Sequence, residues 1–230
     1  MPRETFDQEL QRLEREVLVL GSMVENAITE SVEALKRRDR DTARRLIAGD
    51  RVINEKRFAI ESDALTLIAT QQPLAGDLRT LATVLEIATE LERMGDYAKG
   101  IAKINLMLAE EPLLQPFDHI PRMAEKARHM LRRALEAFAQ RDVALARSIP
   151  AADDEIDTLH NHIYRELLML TTADKHTLDQ ATLLLWVVHN LERVADRAVN
   201  ICERVVFTVT GEMVEMEVDN GPEAGMAGVL

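Results

Sequence analysis

Leu91-Glu92-Arg93-Met94-Gly95-Asp96 recurs one hundred residues later as Leu191-Glu192-Arg193-Val194-Ala195-Asp196. The same offset places Leu78 on Leu178, Val84 on Leu184, Leu85 on Leu185 and Ile87 on Val187 upstream. Downstream it places Ala98 on Ala198 and Ile101 on Ile201. Further upstream it drifts to 103, where Asp50-Arg51-Val52-Ile53-Asn54 faces Asp153-Asp154-Glu155-Ile156-Asp157. Shared leucines alone carry little information among helices, but a shared Leu-Glu-Arg-x-x-Asp at one point of a larger unit marks an internal repeat. The repeating unit is helical. In the first segment, Phe6, Leu10, Leu13, Val17, Leu20, Val24, Ala27, Ser31 and Leu35 alternate spacings of four and three, a helical seam. At ~1.5 Å per residue such a helix is about 45 Å long and needs long partners to cover its seam.

Six helices are predicted. Thr5 with Gln8 reads as a capping box for the first, which the polar break at Arg37–Asp41 ends. Asp39 or Asp41 then caps the second, which runs to about Thr70 and stops at Gln71-Gln72-Pro73. The third covers Leu74 to about Ala109. After the proline-rich break at residues 110–121, the fourth runs to Gln140. The fifth spans Val143–Leu170, with Pro150 kinking or splitting it. Thr177 with Gln180 offers a second capping box for the sixth, which reaches about Val209. The expected fold is all-α, a tandem pair of three-helix bundles over residues 1–110 and 111–210. Residues 211–230 read as an acidic, disordered tail.

Composition agrees. Apolar residues make up 47% of the 230 residues and aromatics 3%, which excludes an all-β fold in a chain rich in Ala, Leu, Glu and Arg. The formal net charge of −12 argues against nucleic acid and anionic lipid surfaces as partners. The lone Cys202 cannot form an internal disulfide, and no stretch approaches the ~20 apolar residues of a membrane span. A cytoplasmic protein without membrane insertion is expected.

Glu92 with Asp96, and Glu192 with Asp196, lie one helical turn apart on one face, where like charges repel unless something positive lies between them. Asp50 with Asn54 and Asp153 with Asp157 share that spacing on neighbouring helices. Such oxygen-rich groups suit Mg²⁺, Mn²⁺ or iron rather than a sulfur-type zinc site. The second repeat is expected to be the stronger site, since Asp153, Asp157, Glu192 and Asp196 supply four carboxylates against Asp50, Glu92 and Asp96 in the first. A single Glu-x-x-x-Asp is ordinarily a solvated face, and recurrence is what recommends metal. The Glu-x-x-His signature of ferritin-like di-iron bundles is absent: His189 precedes Glu192, and His160 and His162 point to different faces. The histidines read as incidental, with His189 the one candidate to assist a metal. Cys202 reads as a small buried hydrophobe. No phosphate loop, Cys-x-x-Cys or Gly-x-Ser-x-Gly is present, so no catalytic set is predicted.

Glu-Leu-Glu-Arg-Met-Gly-Asp-Tyr-Ala (90–98), Gln-Gln-Pro-Leu-Ala-Gly-Asp-Leu-Arg (71–79) and Asn-Leu-Glu-Arg-Val-Ala-Asp-Arg-Ala-Val-Asn-Ile (190–201) together resemble the PhoU family over about residues 4–209. The resemblance implies paired three-helix bundles whose E(D)-x-x-x-D motifs bind metal clusters. It implies a cytosolic homodimer that negatively regulates phosphate uptake and the phosphate-starvation response. Its implied partners are the ATPase of the phosphate-specific transporter and a sensor histidine kinase. Carried over by position, it implicates Asp50, Glu92, Asp96, Asp153, Asp157, Glu192 and Asp196 in metal binding. A metalloenzyme and a purely structural helical scaffold are the alternatives. The chain departs from internal symmetry at Asn54, at Gly100 opposite Asn200, and at Gln71–Arg79, which has no second copy.

Overall fold

A computed structural model of the protein describes residues 3–108, 113–114, 117–173 and 177–216. Helix α1 spans Arg3–Arg37, α2 Arg40–Gln71 and α3 Ala75–Met107. Helix α4 spans His119–Gln140, and the short α5 spans Val143–Ser148. A single 3₁₀ turn at Pro150–Ala152 leads into α6, Asp153–Ala173, and α7 is Leu178–Thr210. No strand occurs among the described residues. Pro150 splits the expected fifth helix, because proline lacks the N–H that would continue the ladder and suits a first turn.

Two helices are capped by aspartates at their starts. The Asp39 carboxylate accepts from the N–H groups of Asp41 and Thr42, and that of Asp142 accepts from Leu145 N–H. The capping boxes expected at Thr5 and Thr177 do not form. Thr5 lies inside α1, which already runs from Arg3, so it stands past the cap position. Thr177 has helical backbone angles and makes no side-chain capping bond, while Gln180 Oε1 accepts from Leu114 N–H at 2.7 Å. Gly211, at φ +80, closes α7 in the left-handed region. Of the expected disordered tail, residues 217–230 lie outside the described residues. The described start is not loose: Val214 and Met216 pack against the core, and Met216 N–H donates to Glu203.

Helices α1, α2 and α3 form one bundle, and α4, α6 and α7 with α5 form the other. The bundles pack side by side, α3 against α7 and α1 against α4, and their buried side chains merge into one apolar core. Gly21 permits the α1–α4 approach, because a Cβ there would lie 2.3 Å from Leu135 Cδ1. The α3–α7 seam is polar at matched positions of the two repeats. Glu90, nearly buried, accepts from Arg93 on its own helix and from Arg197 and Asn200 on α7. Its repeat counterpart Asn190 instead faces Gly100, whose missing side chain leaves the room. Arg193 stacks over the Tyr97 ring at 4.7 Å, and Thr208 donates to Thr83 at 2.7 Å. Residues flanking the motif acids, with Arg193 between one pair of them, thus join the two bundles.

Glu90→Ala would strand Arg197, whose Nε is already unpaired, together with Asn200. A loss of about 2–3 kcal/mol is expected, as for charged hydrogen bonds at a part-buried site. Urea denaturation measures it. Glu90→Gln should lose less, since an amide oxygen still accepts from Asn200, and equal stability of Glu90→Ala and wild type would contradict the assignment.

Candidate functional site

The acidic positions singled out by spacing do come together in each bundle, but the two sets are neutralised differently. In the first bundle, Asp50 on α2 is 7% exposed and faces Glu92, Asp96 and Lys99 on α3. Lys99 Nζ donates to Asp50 Oδ2 at 2.6 Å and to Asp96 Oδ1 at 3.3 Å, and Asn54 Nδ2 donates to Asp50 Oδ2 at 3.1 Å. The ammonium is held in its charged form: its pKa is raised, chiefly by the Asp50 hydrogen bond. Glu92 is pushed up by burial first and by Asp96 next, with Arg57 opposing. The first site therefore carries its own cation. A cleft of about 280 Å³, lined by Met23, Arg45, Gly49, Asp50 and Gly95 among others, opens beside Lys99.

The second bundle has no such cation at the equivalent position, because Val199 stands where the first repeat has Lys99. Asp153, at the start of α6, is 4% exposed, and its Oδ1 has no hydrogen-bond partner. Burial, then the negative charges of Asp157, Asp196, Glu192 and Asp154, push its carboxyl up to about 7. Asp157 and Asp196 are raised too, each by burial first and with Glu192 as the largest negative neighbour. Pro150 does not displace Asp153 from this group, since the 3₁₀ turn it starts leads straight into α6.

Two histidines border the second site, although only His189 was a candidate from the sequence. His189 Nδ1 lies 3.0 Å and His160 Nε2 3.6 Å from Glu192 Oε2. Two imidazoles thus stand at the edge of an otherwise all-carboxylate group. The sequence signal for His160 was present, three residues after Asp157 on the same helix, but alternation with His162 obscured it.

An orphaned, nearly buried carboxylate oxygen among three further carboxylates fits a hard cation. Bound there by Asp153, Asp157, Glu192 and Asp196, it would add positive charge beyond the partial opposition of Arg197 and Arg193 to Asp196. The four carboxylates do not bring three ligand atoms within 4.8 Å of one another, consistent with repulsion holding like charges apart. In the first bundle the demand for positive charge is met by Lys99, and the residues fit a metal less well. Cys202 is buried, its thiol pushed up to about 12 mainly by burial, as expected of a core residue.

Comparison with known proteins matches both halves. The PhoU domain family matches residues 17–104 and again 120–205. A phosphate-specific transport system accessory protein PhoU homolog of Clostridium acetobutylicum is 36% identical over 217 residues, 94% of this chain and 99% of that protein. The crystal structure of the phosphate transport system regulatory protein PhoU from Streptococcus pneumoniae superposes with a TM-score of 0.86 at 34% identity. It covers 91% of this chain and 99% of that one. PhoU from Pseudomonas aeruginosa gives a TM-score of 0.85 at 29% identity, covering 90% and 100%.

Proposed function

Because this chain belongs to the PhoU family, we propose that it is a non-enzymatic accessory regulator of phosphate transport. The observation that carries this reading is coverage: both repeats match, and relatives named for the phosphate-specific transport system align over nearly their whole length. No described helix is long and apolar enough to cross a membrane, so work at a transporter requires docking onto it. A net charge of −12 suits basic docking surfaces, by attraction that speeds encounter and weakens with salt.

At finer grain, the proposed partners are the ATPase of the phosphate transporter and a sensor histidine kinase, met in the cytoplasm. Binding restrains uptake and the starvation response, and the protein works as a homodimer. The second bundle's carboxylates hold Mg²⁺, Mn²⁺ or iron as a structural or tuning element. Deleting the gene tests the regulatory core of this reading. Starvation genes should be derepressed at high phosphate, and the protein should capture the ATPase or the kinase from lysate in a salt-sensitive way. Unchanged uptake and unchanged starvation response in the deletion strain would defeat it.

A further inference from the structure

The α4–α6 face of the second bundle holds a cluster separate from the acidic groups between α6 and α7. His119 lies in the first turn of α4, while His162 and Glu166 lie one turn apart on α6. One ligand atom from each of the three lies within 4.8 Å of the others, and no other such trio of His, Cys, Asp or Glu occurs among the described residues. His162 Nε2 is 3.4 Å from Glu166 Oε1, and His119 Nε2 is 4.0 Å from Glu166 Oε2. The two imidazoles meet edge to face at 4.9 Å. Ile120, Ile163 and Leu167, all fully buried, fix the backbone on both sides.

Two atoms of this cluster are poorly served as they stand. His119 Nδ1 and Glu166 Oε2 are shut off from solvent and have no hydrogen-bond partner. A buried polar atom left without a partner is costly, and an ion between the three side chains would give Glu166 Oε2 the partner it lacks. Cation preference follows from the donors. Two neutral imidazoles and one carboxylate form the three-ligand set of open zinc sites, whereas Mg²⁺ and Ca²⁺ prefer oxygen. The half-exposed His162 leaves a path from solvent and room for a fourth, external ligand.

We propose that His119, His162 and Glu166 form a Zn²⁺ site with one open coordination position, distinct from the carboxylate site at α6–α7. It pins the start of α4, which follows the inter-bundle connection, to the middle of α6. The proposal does not depend on the regulatory reading or on metal at the carboxylates. The test is zinc titration of the full-length protein against a chromophoric chelator, with zinc counted after desalting. Wild type should retain about one equivalent at this site. His162→Ala, a change at a half-exposed position, should weaken that binding at least about tenfold, since losing even a supporting group costs that much. Asp157→Asn/Glu192→Gln should retain it. Cobalt at this site should give the intense visible bands of low-coordinate nitrogen ligation, lost in His162→Ala. Wild-type zinc affinity in His162→Ala, loss of the zinc in the carboxylate variant instead, or no zinc retained by wild type would each overturn it.

Discussion

Glu192→Gln/Asp196→Asn is expected to abolish metal binding at the α6–α7 carboxylates and to make the metal-free protein more stable than wild type above neutral pH. The reason lies in Asp153, a nearly buried carboxyl pushed up to about 7 by burial and by the four acids around it. In the unfolded chain the same group titrates near ~3.9. Between those values the folded state binds a proton that the unfolded state has released, so metal-free wild type loses stability as pH rises from about 4 to about 7. Above that the loss is complete, of order a few kcal/mol. The raised pKa values of Asp157 and Asp196 act in the same direction. Removing two negative charges flattens this slope. Metal affinity has the opposite sign, since carboxylates must lose their protons to bind, and it should strengthen as pH rises through 7. Urea denaturation at pH 5 and pH 8, with metal analysis of both proteins, checks all three statements. Equal metal in wild type and variant, or wild-type stability that rises with pH in chelator, would mean the carboxylates are a solvated face.

Much of the fold was legible because the governing signals are local and repeat. A seam of buried Leu13, Val17, Leu20, Val24 and Leu35 recurs at helical spacing, and all five are buried as that spacing requires. Proline at 150 and aspartate at 39 act through their own backbone neighbours, so their effects could be read in place. Thr5 and Thr177 failed because a capping box depends on where the helix starts, and that is set by packing beyond the box. The site was half legible for a related reason. Glu92/Asp96 and Glu192/Asp196 announce themselves by repetition, and their neighbours Asp50 and Asp153 follow from the offset. What separates the two sites lies just past the repeated motif, at Lys99 and Val199, where the repeats differ. His119 was invisible for a third reason: its partners are more than forty residues away, and only the α4–α6 contact brings them together.

Lys99→Val, which gives the first bundle the residue found at the matching position of the second, should destabilise the metal-free protein and open a new metal site in it. Lys99 is the cation for both Asp50 and Asp96, and without it Asp50 is left nearly buried with only Asn54 as donor. Breaking a buried pair from one side costs about 3–5 kcal/mol. Lys99 and Asp96 are partly solvated, which brings the expected loss to about 2–3 kcal/mol. Mn²⁺ should then restore part of that stability in Lys99→Val by entering among Asp50, Glu92 and Asp96, and should raise its metal content above wild type. Wild type gains no stability through this bundle, because its ammonium already occupies the position. Asp50→Asn/Lys99→Val separates charge from packing: removing the stranded carboxylate with the lysine should return most of the lost stability and abolish the added metal. Thermal melts with and without Mn²⁺, alongside metal counts, decide the matter. A Lys99→Val protein as stable as wild type in chelator, with no extra metal, would show that the ammonium is an ordinary surface partner and that the bundles differ for another reason.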